Sequence, residues 1–261
     1  MILKWAFWIA APYFEAKSSF TLIIMLFGYS MQIFADFAGY SLIAIGVAAL
    51  FGYKLPKNFN YPYISSSITE FWRRWHISLS SWLKEYLYIS LLGGNRKGNI
   101  RTYINLIIVM FLGGLWHGAA LSYGVWGLWH GIGLAIERKF SKTRGVNKNF
   151  SLILTSLRIA LVFSFVSFGW LLFKLTNIQE AVHYLIAIKE NINIGHSYVV
   201  IINIAVYSLP VVLYHILYLG KKNNINIVNT ILKHDYAIYA TMIIMLLING
   251  GIPGDFVYFQ F

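Results

Sequence analysis

Apolar residues run almost without a break over residues 20–51, further than one untilted bilayer crossing requires, since about 20 residues traverse the hydrocarbon core. Asp36 and Gly39 interrupt the run, which predicts two helices or one sharply broken helix. A polar connection with Pro56 and Pro62 follows over residues 54–69. Two further apolar runs, 103–116 and 119–136, are separated by His117 and Gly118. Later spans are expected at 152–173, 198–219 and about 236–248, joined by connections over 174–197 and 220–235.

Residues 68–92 differ in kind. Ser67 and Glu70 have capping-box spacing, which starts a helix by satisfying orphan amides. Trp72, Trp75, Leu79, Trp82 and Tyr86 then fall at helical spacing on one side, with Arg73, His76, Ser80 and Lys84 on another. Such a helix is too polar to face lipid all round, so it is expected to lie in the interface or to line a polar cavity as a re-entrant element. The pattern as a whole predicts an all-α, polytopic transmembrane protein forming one membrane domain over residues 1–261, with about six to seven spanning or re-entrant helices.

Composition agrees. The chain is 58% hydrophobic and only 11% charged, with a mean hydropathy of +0.63, where a soluble globule is about 25% charged. The net charge of +12 would raise nucleic acid as a partner in a soluble protein. Here the basic residues cluster in short loops between apolar runs, the pattern of positive-inside topology, and no nucleic-acid partner is expected. The loops before residue 103, after 136 and after 219 then share the cytoplasmic side, and His117 sits deep in the membrane or toward its far face. The absence of cysteine excludes disulfides, zinc-thiolate sites and thiol nucleophiles. No cleavable signal peptide is evident; no P-loop, nucleotide-binding glycine fingerprint, His-Glu-x-x-His metal motif or nucleophile elbow stands out, and no metal is expected.

The candidate chemistry is histidine chemistry. His117 lies in Gly113-Gly114-Leu115-Trp116-His117-Gly118, where glycines let a backbone or a substrate approach closely. A neutral imidazole there could take a proton from a hydroxyl, or could simply bond between helices; the residues leave both open. His76 could bond headgroups or water at an interface, or could position substrate. His130, in a second Trp-His-Gly triplet, reads as a helix-packing hydrogen bonder, and Asp36 as an interhelical partner or an orienter of imidazole. Arg73, Arg74, Lys84, Arg96 and Lys97 could hold phosphate groups of a donor or lipid, although such residues are more often topology anchors.

Several strings resemble the membrane-bound O-acyltransferase family. They are Asn58-Phe59-Asn60-Tyr61-Pro62-Tyr63-Ile64, Ile68-Thr69-Glu70-Phe71-Trp72-Arg73-Arg74-Trp75-His76-Ile77-Ser78-Leu79-Ser80, Gly93-Gly94-Asn95-Arg96, Gly113-Gly114-Leu115-Trp116-His117-Gly118 and Trp126-Gly127-Leu128-Trp129-His130-Gly131. The similarity is strongest over residues 30–140 and points to the alginate O-acetyltransferase branch, which includes peptidoglycan O-acetylating relatives. The resemblance implies that His117 is the catalytic histidine and His76 the second active-site polar position. Trp116, Asp36, Arg73, Arg74, Ser80, Lys84, Asn95, Arg96 and His130 are the expected substrate-binding or site-supporting positions.

It further implies a cavity reached from both faces, no bound cofactor, and acetyl-CoA or an acyl-carrier thioester as donor. The acceptor would be a cell-surface polysaccharide such as alginate or peptidoglycan. Membrane lipid and extracytoplasmic O-acetylation proteins are the expected partners, and the plasma (inner) membrane is the expected location. D-alanyl transfer to teichoic acid and a polysaccharide or lipid transporter are the alternative readings. The chain departs from the pattern in having Leu42 where many relatives carry Asp, and one extra leucine in Ser90-Leu91-Leu92-Gly93. Relatives also carry further helices before the point matching Met1, so the chain is expected to be N-terminally truncated.

Overall fold

A computed structural model describes residues 17–143 and 152–233. The described residues are helical, with no strand among them. The first apolar run is neither two helices nor a broken one: α1 is a single helix, Ser19–Leu50, capped by Ser18, whose hydroxyl accepts from the Thr21 amide. Asp36 stays within the helical pattern by accepting from Gln32 one turn earlier, at 3.5 Å. Gly39 costs helix propensity of about 1 kcal/mol, less than exposing unpaired backbone groups to hydrocarbon.

The segment expected as one amphipathic helix is instead divided into three. Helix α2 (Ile68–Arg74) ends at Trp75, His76 takes a left-handed backbone at φ 42°, and α3 (Ile77–Trp82) runs into a π-helix, Leu83–Leu91. The break is held from outside. Asn58 accepts the Ile77 amide on its carbonyl at 3.0 Å, and its side-chain oxygen takes the Ser78 amide and hydroxyl at 3.2 and 2.6 Å. The aromatic stripe therefore does not keep to one side: Trp75 is buried, whereas Trp82 and Tyr86 are exposed. The N-terminus of α2 carries half of the expected capping box. Ser67 accepts from the Glu70 amide at 3.0 Å, but the Glu70 carboxylate reaches the Ser66 amide at 2.8 Å.

Helices α4 (Asn99–Leu115) and α5 (Leu121–Thr143) form a tight hairpin around His117. Their backbones approach so closely that a Cβ on Gly114 would stand 2.2 Å from the Tyr123 carbonyl oxygen, and one on Gly127 2.2 Å from that of Met110. Small residues of this kind are how membrane helices gain close van der Waals packing without a hydrophobic driving force.

Helices α6 (Leu152–Lys174) and α8 (Tyr198–Lys222) lie where spans were expected. With α1 they are the three helices long and apolar enough to cross a membrane among the described residues. The two later connections are not plain loops: they contain α7 (Ile178–Glu190) and α9 (Asn226–Lys233). The span expected near 236–248 lies outside the described residues. An aromatic core joins these parts, with Trp75, Trp126 and Trp170 at its centre and Tyr63 donating to the Ser30 carbonyl of α1.

Candidate active site

Two of the cavities that flank the broken segment differ sharply in chemistry. The first, about 670 Å³, is lined by Arg73, Lys84, Arg138 and Glu137 together with Ser80 and Asn95. It gathers Arg73 of α2, Lys84 of the π-helix and Arg138 of α5 around one space. The second, about 560 Å³, is apolar apart from His76 and Ser78, and Trp116, Leu79 and Leu112 are among its walls. The left-handed residue separates the two. By turning at His76, the chain takes that imidazole away from Arg73, Ser80 and Lys84, with which regular helical spacing would have grouped it.

His76 is half-buried. Its ring stands edge-on to Phe37 at 4.7 Å, and Nδ1 lies 3.5 Å from the Ser78 hydroxyl. His117 occupies the turn after α4, where its amide donates to the Gly114 carbonyl at 3.0 Å. Its ring is boxed by Trp116 at 5.1 Å, Trp126 at 5.4 Å and Phe173 at 5.1 Å, the last from the end of α6. Trp116 thus links the histidines, touching the His117 ring while lining the cavity that holds His76. Burial holds both imidazoles below their ordinary value, each at about 4, and at His117 the neighbouring His76 lowers it further. Both rings are therefore neutral near pH 7, the form able to accept a proton.

Other expected positions fall elsewhere. Arg74 grips Glu70 with Nε at 3.1 Å and Nη2 at 2.8 Å, and also donates to the Asn60 carbonyl; it lines neither cavity. Asp36 bonds Gln32, Arg96 lies exposed in the loop before α4, and neither lines these cavities. Asn95 accepts from the Tyr88 hydroxyl at the edge of the basic cavity. His130 is fully enclosed, accepting from the Trp72 indole at 3.3 Å. Among the described residues no three His, Asp or Glu side chains gather as a metal site would require.

Three residues that matter to this geometry were not singled out by spacing. Asn58 clamps the break. Glu137 of α5 accepts the Ile68 and Thr69 amides, fixing the start of α2. Arg138 completes the basic cavity beside it. The acidic-basic pair at 137–138 was visible in the sequence only as the edge of a basic loop.

The sequence over residues 1–182 matches the model of MBOAT, the membrane-bound O-acyltransferase family. The chain belongs to this family. It is 53% identical over 153 residues to the probable alginate O-acetylase AlgI of Pseudomonas aeruginosa, a match covering 59% of this chain and 28% of that protein. It is 46% identical over 158 residues to the peptidoglycan O-acetyltransferase of Helicobacter pylori, covering 60% and 29%. It is 36% identical over 163 residues to the teichoic acid D-alanyltransferase of Bacillus subtilis, covering 58% and 40%. The matched segments thus span less than half the length of these curated relatives. Family membership and the apolar helices make this a membrane protein of the acyltransferase class.

Proposed function

We propose that this chain carries the reaction centre of an O-acyltransferase that moves an acyl group, acetyl in the first instance, from a thioester to a hydroxyl of a cell-surface polysaccharide. The observation that carries this reading is the pairing of two half-buried imidazoles, both held neutral near pH 7, across Trp116, with His76 opening on an apolar cavity. His117 takes the proton of the acceptor hydroxyl as its oxygen attacks the thioester carbonyl. The C–O bond forms, the C–S bond breaks, and the proton held on His117 passes to the departing thiolate. His76 orients the acceptor or bonds the developing oxyanion, which a fixed donor in a water-poor site does well.

The basic cavity supports a thioester donor with an anionic handle, such as acetyl-CoA or an acyl carrier. Arg73, Lys84 and Arg138 line it, and the Arg138 Nε is buried without a hydrogen bond. The donor approaches from the cytoplasmic side of the inner membrane, where basic loops are retained. The acceptor and its O-acetylating partner proteins lie on the other side. The relatives in alginate and peptidoglycan O-acetylation favour acetyl transfer, while the D-alanyltransferase relative supports a second reading, D-alanyl transfer to teichoic acid.

The test is His117→Ala and His117→Gln in cells making the whole native protein, with polymer acylation measured by mass. A general base typically contributes about 10²–10⁴-fold, so acylation should fall by that order at equal membrane abundance. Unchanged acylation would remove His117 from the chemistry. A mass increment of alanine rather than acetate would select the second reading.

A further inference from the structure

The basic cavity and the histidine cavity share one lining residue, Leu83. It is 7% exposed and opens the π-helix Leu83–Leu91. Its position is set from two sides. On one, the π-helix bonds each amide to the fifth residue back, as in Leu92 to Leu87 at 3.0 Å. That winding widens the turn and re-aims side chains, and π segments occur often at functional sites. On the other side stands Gly113 of α4, where an added Cβ would lie 3.1 Å from the Leu83 Cδ1. The glycine therefore leaves room for this isobutyl group against the α4 backbone and little more. The residues on the two sides of Leu83 differ sharply in chemistry. Arg73, Lys84 and Arg138 lie toward one cavity, and His76, Leu79 and Trp116 toward the other.

We propose that Leu83 is a gate between the two cavities, closing the histidine cavity to the basic one except when the uncharged arm of a thioester donor displaces it. This rests on the acyl-transfer reading for what passes, but the gate itself is a property of the packing. A donor with an anionic end and a long apolar-polar arm fits the order of surfaces. Its anionic end meets the three cations, its arm passes Leu83, and its carbonyl arrives beside His76 and Trp116. A single branched aliphatic side chain is suited to this: it excludes water when closed and moves by rotamer change without leaving a polar group unpaired. Leu83 is thus a specificity-determining residue, setting the girth of arm and acyl group admitted.

The chain has no cysteine, so one introduced thiol reports the passage directly. Leu79→Cys places it in the histidine cavity. In membrane vesicles with the basic loops outward, a charged, membrane-impermeant maleimide is added from that side, with Leu83 as Leu, Met, Ala or Phe. Labelling should be at least tenfold faster with Leu83→Ala, intermediate with the volume-conserving Leu83→Met, and slower than the parent with Leu83→Phe. Equal rates across the series overturn the gate, and the Met and Phe variants keep the test decisive if the Ala variant does not fold. In parallel, consumption of acetyl-CoA and octanoyl-CoA is measured in the whole native protein. The gate predicts a relative gain for the octanoyl donor with Leu83→Ala of about tenfold. Graded labelling without thioester turnover by any form sustains the gate and counts against the acyl-transfer reading instead.

Discussion

The indole of Trp72 on α2 donates to Nδ1 of His130 on α5 at 3.3 Å, tying the broken segment to the hairpin that carries His117. With Nδ1 accepting, the neutral ring carries its proton on Nε2, which faces Gly169 of α6 and has no hydrogen-bond partner. Trp72→Phe keeps the aromatic volume and removes the donor. A buried imidazole nitrogen left unsatisfied costs about 1–3 kcal/mol. Thermal unfolding in detergent should show that loss, and acyl transfer per folded molecule should fall little.

Gly127 is a point of backbone contact between α4 and α5, where a Cβ would overlap the Met110 carbonyl at 2.2 Å. Gly127→Ala therefore has to separate the hairpin. Overpacking typically costs about 1–3 kcal/mol, and here the obstacle is backbone that cannot rotate away. Membrane abundance should drop severely, and the surviving protein should lose activity because the His117 turn moves with the helices. Normal abundance and turnover would mean that the hairpin is looser than this packing.

Glu137 holds the first amides of α2, acting from another helix as a cap normally does from within. Replacing a capping side chain by Ala costs about 0.5–2 kcal/mol. Glu137→Ala should destabilise by that order and raise the KM for the proposed thioester donor, because Arg73 hangs from the same short helix. Glu137→Asp should recover little, its shorter arm failing to reach both amides. Steady-state kinetics on purified protein separate these outcomes.

The neutral imidazoles fix the pH response. His76 and His117 titrate at about 4 in the fold, against an ordinary value of 6.5. The base form of His117 is then present from neutral pH down to about 4, so turnover limited by this group should be flat between pH 8 and 5 and fall below. Stability moves differently. The unfolded chain takes up protons at these histidines below 6.5 while the folded chain does not, so their contribution is complete above 6.5 and declines as pH falls from 6.5 to about 4. Melting temperature and initial rate, measured across the same buffers, should part in that window.

Much of this architecture could be read from hydropathy. The bounds of α6 and α8 follow the apolar runs closely, because a bilayer imposes long continuous helices on such runs, whereas α4 begins four residues before its run and α5 continues seven residues beyond its own, into the basic segment. Two kinds of feature could not. Asp36 and Gly39 looked like breaks in α1, yet local polarity does not end a helix whose backbone has no alternative partner in lipid. Residues 68–92 looked continuous, yet Asn58, ten residues before α2, supplies the bonds that make the turn at His76 affordable. Periodicity carries no trace of a partner so far outside its window. The same turn explains the imperfect grouping of the site: Arg73, Ser80 and Lys84 face one cavity as spacing implied, and His76 faces the other.

Helix α1 has 32 residues, which at 1.5 Å per residue make a rod of about 48 Å, against a hydrocarbon layer of about 30 Å. A rod that long must lean or protrude, and wherever it leans, Phe37, which stands edge-on to the His76 ring at 4.7 Å, leans with it. Bilayer thickness thereby becomes a mechanical input. Lipids with longer tails stand the rod more upright, and shorter tails lay it over, so turnover in nanodiscs should vary with acyl-chain length even when donor and acceptor are saturating.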